Sequence, residues 1–197
     1  MLKKNNKQRI RILKFLLSNK TKEFTIRAIS KQVSVDYKTI YLNVQQLIDE
    51  NIIISKRAGQ TVLCSISQKK FNQDILDAEF SRRADLLRNK NIYALFNRIK
   101  EVKSPFFILL VFGSCASGKT RKESDIDIML IADEQNVIKE INDIISTIPL
   151  KIHLADFSSK EFLSMLKTTE FNVGKETFNN NVILFGIEDY YKLIQNA

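Results

Sequence analysis

The sequence predicts an α+β protein with two domains and a helical connector. Early in the chain, three segments with helically spaced apolar residues precede two β-branched segments separated by a glycine turn. Later, apolar segments at 106–112 and 125–131 are typical of strands in a mixed sheet flanked by helices. We therefore expect a first domain at 1–68, a connector at 69–104 and a second domain at 105–197.

The first domain is predicted to contain three helices and a hairpin. Residues 10–17 carry an apolar stripe typical of a helix. Thr25 is expected to cap a short second helix, and Asp36 a third. The hairpin is expected at 52–66, turning at Gly59. This order of elements resembles a winged helix-turn-helix domain.

That resemblance implies that the third helix enters the major groove of double-stranded DNA. Polar side chains near its start could reach base edges. The candidates for base contacts are Tyr37, Lys38, Thr39, Tyr41 and Asn43. Lys56 and Arg57, near the hairpin tip, are expected to contact flanking phosphates. The alternative is an ordinary solvated helix face on a domain that contacts protein.

Positive charge is concentrated at the start of the chain. Residues 1–70 contain 15 Lys and Arg against four Asp and Glu, a net charge of +11, whereas the whole chain carries +9. The remainder is therefore slightly acidic. A local excess of this size predicts a polyanionic partner and favours DNA over protein for the first domain.

The connector has the composition of two helices interrupted near residues 89–91. The first of these helices could form a homodimer contact or pack between the domains, and the sequence favours neither. The second, which contains Ile92, Leu95 and Ile99, is expected to pack on the sheet of the second domain.

The segment after the first apolar strand fits two phosphate-handling motifs. Residues 113–120 match the P-loop pattern GxxxxGK[ST], and Gly113-Ser114 followed by Asp125-x-Asp127 matches a different one. A P-loop needs a helix that crosses back to a parallel strand. Only residues 121–124 separate the motif from the next strand. The P-loop interpretation is therefore rejected.

The second interpretation rests on the alternation of side chains between the two faces of a β-strand. Asp125 and Asp127 are expected on one face, about 7 Å apart along the strand, with Ile126 and Ile128 on the core side. Neighbouring carboxylates repel unless a cation compensates them. Mg²⁺ is the expected cation because it is commonly held by one or two carboxylates and substrate phosphates.

At these residues the chain resembles the minimal nucleotidyltransferases of the DNA polymerase β superfamily, over about 105–197. The resemblance implies transfer of a nucleoside monophosphate from an NTP to an acceptor. It implies that Asp125 and Asp127 are catalytic metal ligands and that Gly113 and Ser114 contact the triphosphate. Two further candidates for nucleotide binding are Lys119 and Ser124. The basic residues near Lys119 could equally be a solvated turn.

Active members of that superfamily usually carry a third carboxylate on a later strand. Here that strand is expected at 151–157, after a helix at 134–147. His153 is expected at the third position, and imidazole binds Mg²⁺ poorly. Asp156 is expected on the opposite face and is a catalytic candidate only if the strand twists or a bulge shifts its register. The pattern therefore predicts little or no transfer.

The C-terminal region is expected to hold a helix with a Ser158–Glu161 capping box, a strand at 181–186 and a helix at 188–194. Residues 172–176 are expected to form a loop.

No feature of the sequence predicts export or membrane insertion. Cys64 and Cys115 lack the spacing of a disulfide framework or zinc site, and the longest apolar run is too short to cross a bilayer. We expect a cytoplasmic location.

Two classes of function remain. The chain could be a DNA-binding regulator whose second domain binds NTP and Mg²⁺ or a protein. Alternatively, it could be an active nucleotidyltransferase that modifies a protein or small molecule. The resembled superfamily includes antitoxins that modify or block an all-helical ribonuclease partner, which is compatible with both.

Overall fold

The computed structural model describes residues 2–104, 106–118 and 125–196, with side chains described from residue 6. The chain divides into two compact units, Met1–Ser81 and Arg82–Ala197. None of the described helices is long and apolar enough to span a membrane.

Among its described residues, the first unit contains three helices, a three-stranded sheet and the start of a fourth helix. Its elements are α1 (Leu2–Leu17), β1 (Phe24–Thr25), α2 (Ile26–Val33), α3 (Tyr37–Asp49), β2 (Ile53–Ala58), β3 (Thr61–Ile66) and α4 (Gln73–Leu86). Helix α4 continues into the second unit. The predicted order of three helices and a hairpin is confirmed, and the short strand β1 is additional.

The two predicted helix caps are present. Thr25 Oγ accepts a hydrogen bond from the Ala28 N–H, and Asp36 Oδ1 accepts one from the Thr39 N–H at 2.9 Å. The Thr39 N–H lowers the pKa of Asp36, because it stabilises the carboxylate form. Both caps satisfy N–H groups that have no partner within their helices.

The sheet of this unit places the hairpin beside β1. Strand β3 is central and pairs antiparallel with both β1 and β2. The turn between β2 and β3 contains Gly59, whose φ of +61° is a conformation that glycine adopts without strain.

The outward placement expected of Asn43 is wrong. Asn43 is only 3% exposed, and its Nδ2 donates to the Thr39 carbonyl. It lies three residues after Ile40 and four before Leu47, both of which are buried, so helical spacing places all three on the core face. Asn43 is thus a polar residue on the buried face of α3.

The second unit contains a four-stranded sheet and six complete helices among its described residues. These elements are α5 (Lys90–Ile99), β4 (Ile108–Phe112), α6 (Gly113–Ala116), β5 (Ile126–Ile131), α7 (Gln135–Ser146), β6 (Ile152–Phe157), α8 (Ser159–Lys167), α9 (Val173–Asn179), β7 (Asn181–Phe185) and α10 (Ile187–Gln195).

The strand order is β6-β5-β4-β7, with β5 and β6 parallel and the other pairs antiparallel. The predicted mixed sheet is confirmed. Because β4 and β5 are antiparallel, they need no crossover helix, which agrees with the rejection of the P-loop. Helix α7 forms the crossover between the two parallel strands. Helices α5 and α7 pack on the sheet through a shared apolar core that includes Ile126 and Ile128.

One local expectation was wrong, and one short helix was not predicted. The chain after β4 forms the one-turn helix α6, which the sequence analysis did not include. Residues 173–179 form α9 instead of a loop, because Asn172 caps the helix by accepting from the Lys175 N–H. The predicted Ser158–Glu161 capping box is present.

The end of α4 is fixed to the edge strand of this sheet. Arg82 donates to the Asn181 carbonyl, and Arg83 donates to the Leu184 carbonyl at 3.0 Å. An edge strand has backbone groups without a neighbouring strand, and these arginines satisfy two of them.

Candidate functional site

The candidate site lies where β4 ends and β5 begins. Gly113 follows the last residue of β4 and has a φ of +66°. A Cβ on this residue would lie 2.5 Å from Asp127 Oδ2, so the carboxylate would have to shift to make room for any side chain there. Glycine therefore permits both the turn and the close approach of the carboxylate.

Two side chains fix the orientation of the Gly113 carbonyl. Ser117 Oγ donates to it at 2.8 Å, and Asn180 Nδ2 donates to it at 3.0 Å. Asn180 Nδ2 also donates to Ser117 Oγ at 2.9 Å. Asn180 was missed because it lies 67 residues along the chain from Gly113, and no spacing or motif in the sequence connects the two.

Asp125 and Asp127 occupy the start of β5 as expected. Ile126 and Ile128 are buried, whereas the side chains of Asp125 and Asp127 are 38% and 32% exposed, respectively. Alternation along the strand therefore places the carboxylates on the side away from these isoleucines.

His153 is the third side chain of the site. In the parallel register of β5 and β6, it pairs with Asp127. Its Nε2 lies 3.6 Å from Asp125 Oδ2, and its Nδ1 lies 3.4 Å from Asp127 Oδ1. The expectation that His153 lies beside the aspartates is confirmed.

The structure does not bring Asp156 to this group. Asp156 pairs with Leu130 in the same ladder, and the register from residue 152 to 157 is unbroken. Three residues separate it from His153, so the two side chains project from opposite faces of β6. Ser114 lies in the first turn of α6, next to Gly113.

Lys119 and Ser124, the remaining nucleotide-binding candidates, lie outside the described residues.

The donor set fits Mg²⁺ in part. Asp125 and Asp127 supply the carboxylate oxygens that Mg²⁺ accepts together with phosphate oxygens and water. Imidazole suits this ion poorly, and the two nitrogens of His153 face different carboxylates. Within the described parts of the chain, no three His, Cys, Asp or Glu side chains form a metal-binding cluster. Asp125 and Asp127 are thus the residues that would hold the ion.

A second surface of interest lies in the first unit, between α3 and the hairpin. It is a concave region of about 780 Å³ lined in part by Arg27, Tyr37, Tyr41 and Arg57. The two tyrosines are 52% and 42% exposed, with ring centroids 6.0 Å apart. The sequence interpretation missed Arg27, because only the folded unit brings the start of α2 beside α3.

The other DNA-contact candidates divide between this surface and its surroundings. Lys38 is exposed on α3, and Thr39 is half-buried. Lys56 is exposed but follows Ser55 and precedes Arg57 on β2, so it projects from the other face of the hairpin. Asn43 is buried and does not reach the surface.

The mixed sheet, its glycine turn and its paired aspartates define a nucleotidyltransferase-type domain. The family described as polymerase beta, nucleotidyltransferase matches residues 90–189, just over half of the chain. The chain belongs to this family. No curated protein matches it.

One similar solved structure is described as the crystal structure of the toxin-antitoxin with AMP-PNP. It is 18% identical, and the match covers 54% of this chain and 80% of the other, with a TM-score of 0.34.

Replacing Gly113 with alanine should destabilise the protein by more than the cost of a positive φ alone. Gly113→Ala is expected to be less stable than Gly118→Ala by about 1–3 kcal/mol, the usual cost of overpacking. Both glycines have a positive φ, +66° and +67°, but a Cβ on Gly118 meets no atom within 4 Å. Chemical unfolding of both variants measures the difference. Equal destabilisation would show that the Asp127 contact has no energetic weight.

Proposed function

We propose that the chain is a DNA-binding regulator with a winged helix-turn-helix domain at residues 1–68. We further propose that its nucleotidyltransferase domain binds an NTP with Mg²⁺ and transfers the nucleotide weakly or not at all. The observation that carries the second proposal is the position of His153 against Asp125 and Asp127.

Shape and charge support the DNA proposal. The third of three helices lies beside a hairpin, and the concave region between them contains Arg27 and Arg57. Guanidinium groups pair with phosphates, and exposed tyrosines can contact bases or sugars. The local charge of +11 adds long-range attraction for a polyanion.

The turn after β4 and the paired aspartates support the nucleotide proposal. Gly113 lets the backbone approach a phosphate, and Asp125 and Asp127 supply oxygen ligands for the ion that accompanies it. When bound, Mg²⁺ would neutralise and orient the phosphate oxygens. His153 supplies no third carboxylate, so one oxygen ligand that would help to position an attacking acceptor is missing.

The paired aspartates and the glycine turn also favour a second candidate function, because both belong to the nucleotidyltransferase motif. In this alternative, the domain actively transfers NMP to a small molecule or a protein, for example an all-helical toxin-type partner. Two carboxylates would then suffice for the reaction.

DNA binding should depend strongly on salt and on the basic hairpin. Arg57→Ala is expected to weaken binding to all duplex sequences about equally and to reduce the salt slope by about 1, because it removes a phosphate contact, whereas Lys56→Ala, on the other face of the hairpin, should have a smaller effect. Tyr41→Ala should change sequence preference. Fluorescence anisotropy over a salt series measures these effects. Lys139→Ala, an exposed lysine on α7, is the control. An equal loss in that control would contradict the assigned surface.

Nucleotide binding should require both metal and the aspartate pair. With Mg²⁺ present, an NTP is expected to raise the melting temperature, because a ligand of the native state stabilises it. Asp125→Asn combined with Asp127→Asn should abolish this shift while the domain remains folded, since it removes two like charges. A shift that persists in the double variant would place the site elsewhere.

Nucleotide transfer should depend on the residue at position 153, where a third carboxylate would be expected. Wild-type protein incubated with labelled NTP, Mg²⁺ and cell extract is expected to label an acceptor weakly or not at all. His153→Asp is expected to increase labelling, because it supplies a third oxygen ligand facing Asp127. Asp156→Asn is the matched control on the same strand and should change nothing. Robust wild-type transfer that Asp156→Asn removes would contradict the proposal and identify Asp156 as the third acid.

A further inference from the structure

We infer that Asn180 is a positioning residue for the phosphate-binding turn, holding the Gly113–Ser114 peptide in the orientation that nucleotide binding needs. The inference rests on the proposed function and assigns a role to a residue outside the motif, at the junction of α9 and β7.

The contacts of Asn180 identify its amide nitrogen as a double donor. Nδ2 lies 3.0 Å from the Gly113 carbonyl oxygen and 2.9 Å from Ser117 Oγ. A carbonyl only accepts, so the atom facing it must be the nitrogen. Ser117 Oγ gives its proton to the same carbonyl at 2.8 Å and therefore accepts from Asn180. The three groups form a closed network with consistent donors and acceptors.

This network fixes a peptide plane. The Gly113 carbonyl also accepts from the Ser117 N–H at 3.3 Å, so three donors hold one oxygen. In a trans peptide unit, the carbonyl and the following N–H point in opposite directions. Fixing the Gly113 oxygen toward Asn180 therefore directs the Ser114 N–H away from it.

Glycine at position 113 makes this support necessary. With a positive φ and no side chain, Gly113 could adopt other peptide orientations at little cost. The backbone of α9 holds Asn180 in turn, because the Asn180 N–H donates to the Glu176 carbonyl at 3.0 Å. Asn180, which directly precedes the edge strand β7, thus limits the conformational freedom of the turn at Gly113.

The test measures NTP affinity together with stability. ATP, CTP, GTP and UTP are titrated into wild-type protein with Mg²⁺ by calorimetry, and the tightest is used for the variants. Asn180→Ala is expected to weaken binding roughly tenfold, because two hydrogen bonds that orient the turn are lost. Asn142→Ala is the matched control: its Nδ2 also donates to a backbone carbonyl, that of Ile138, on the exposed face of α7. It should leave the affinity unchanged.

Two further variants separate positioning from packing. Asn180→Asp keeps the shape but places an oxygen against the Gly113 carbonyl, so it should weaken binding at least as much as Asn180→Ala. Ser117→Ala removes a partner of the same amide, and its effect should not add to that of Asn180→Ala. If Asn180→Ala does not fold, Ser117→Ala carries the same expectation of weaker binding.

The outcomes are distinct. If wild-type protein binds none of the four nucleotides, the proposed function is wrong, and this inference falls with it. If wild-type protein binds but Asn180→Asp keeps full affinity, or the effects of Asn180→Ala and Ser117→Ala are additive, only the positioning role is overturned.

Discussion

The repulsion between Asp125 and Asp127 is the constraint on which the site depends. Strand alternation places both carboxylates on one side of β5, so their charges cannot separate without loss of the strand. Two neighbouring residues border the pair. Gly113 leaves room for Asp127, and His153 places one ring nitrogen near each carboxylate. A divalent cation would compensate the two charges, which connects the electrostatics of the strand to nucleotide binding.

The supports of this arrangement come from distant parts of the chain. The parallel pairing of β5 with β6 sets His153 beside Asp127, and α7 makes that pairing possible by connecting the strands. At the opposite edge of the sheet, β7 pairs with β4 and brings Asn180 to the Gly113 turn. The site is therefore a product of strand order, and changes that shift one edge strand would alter it without touching a carboxylate.

The two units differ in the physical basis of their proposed interactions. The first unit combines a large positive charge with a concave region containing guanidinium and phenol groups, which suits a polyanion such as duplex DNA. The second carries a compact acidic pair that suits a cation and its phosphate ligand. A regulator that senses nucleotide in one unit and binds DNA through the other would use both properties within a single chain.

The sequence by itself determined the order of most elements, three helix caps and the aspartate pair, because periodicity and capping act over a few residues. It placed Asp36, Ile126 and the Ser158–Glu161 box correctly. It misplaced Asn43, whose polar side chain lies on the buried stripe of α3. Only the tertiary structure decided that Arg27 joins Arg57 and that Asn180 supports Gly113. Those contacts depend on strand register and packing between distant segments, for which local sequence carries no signal.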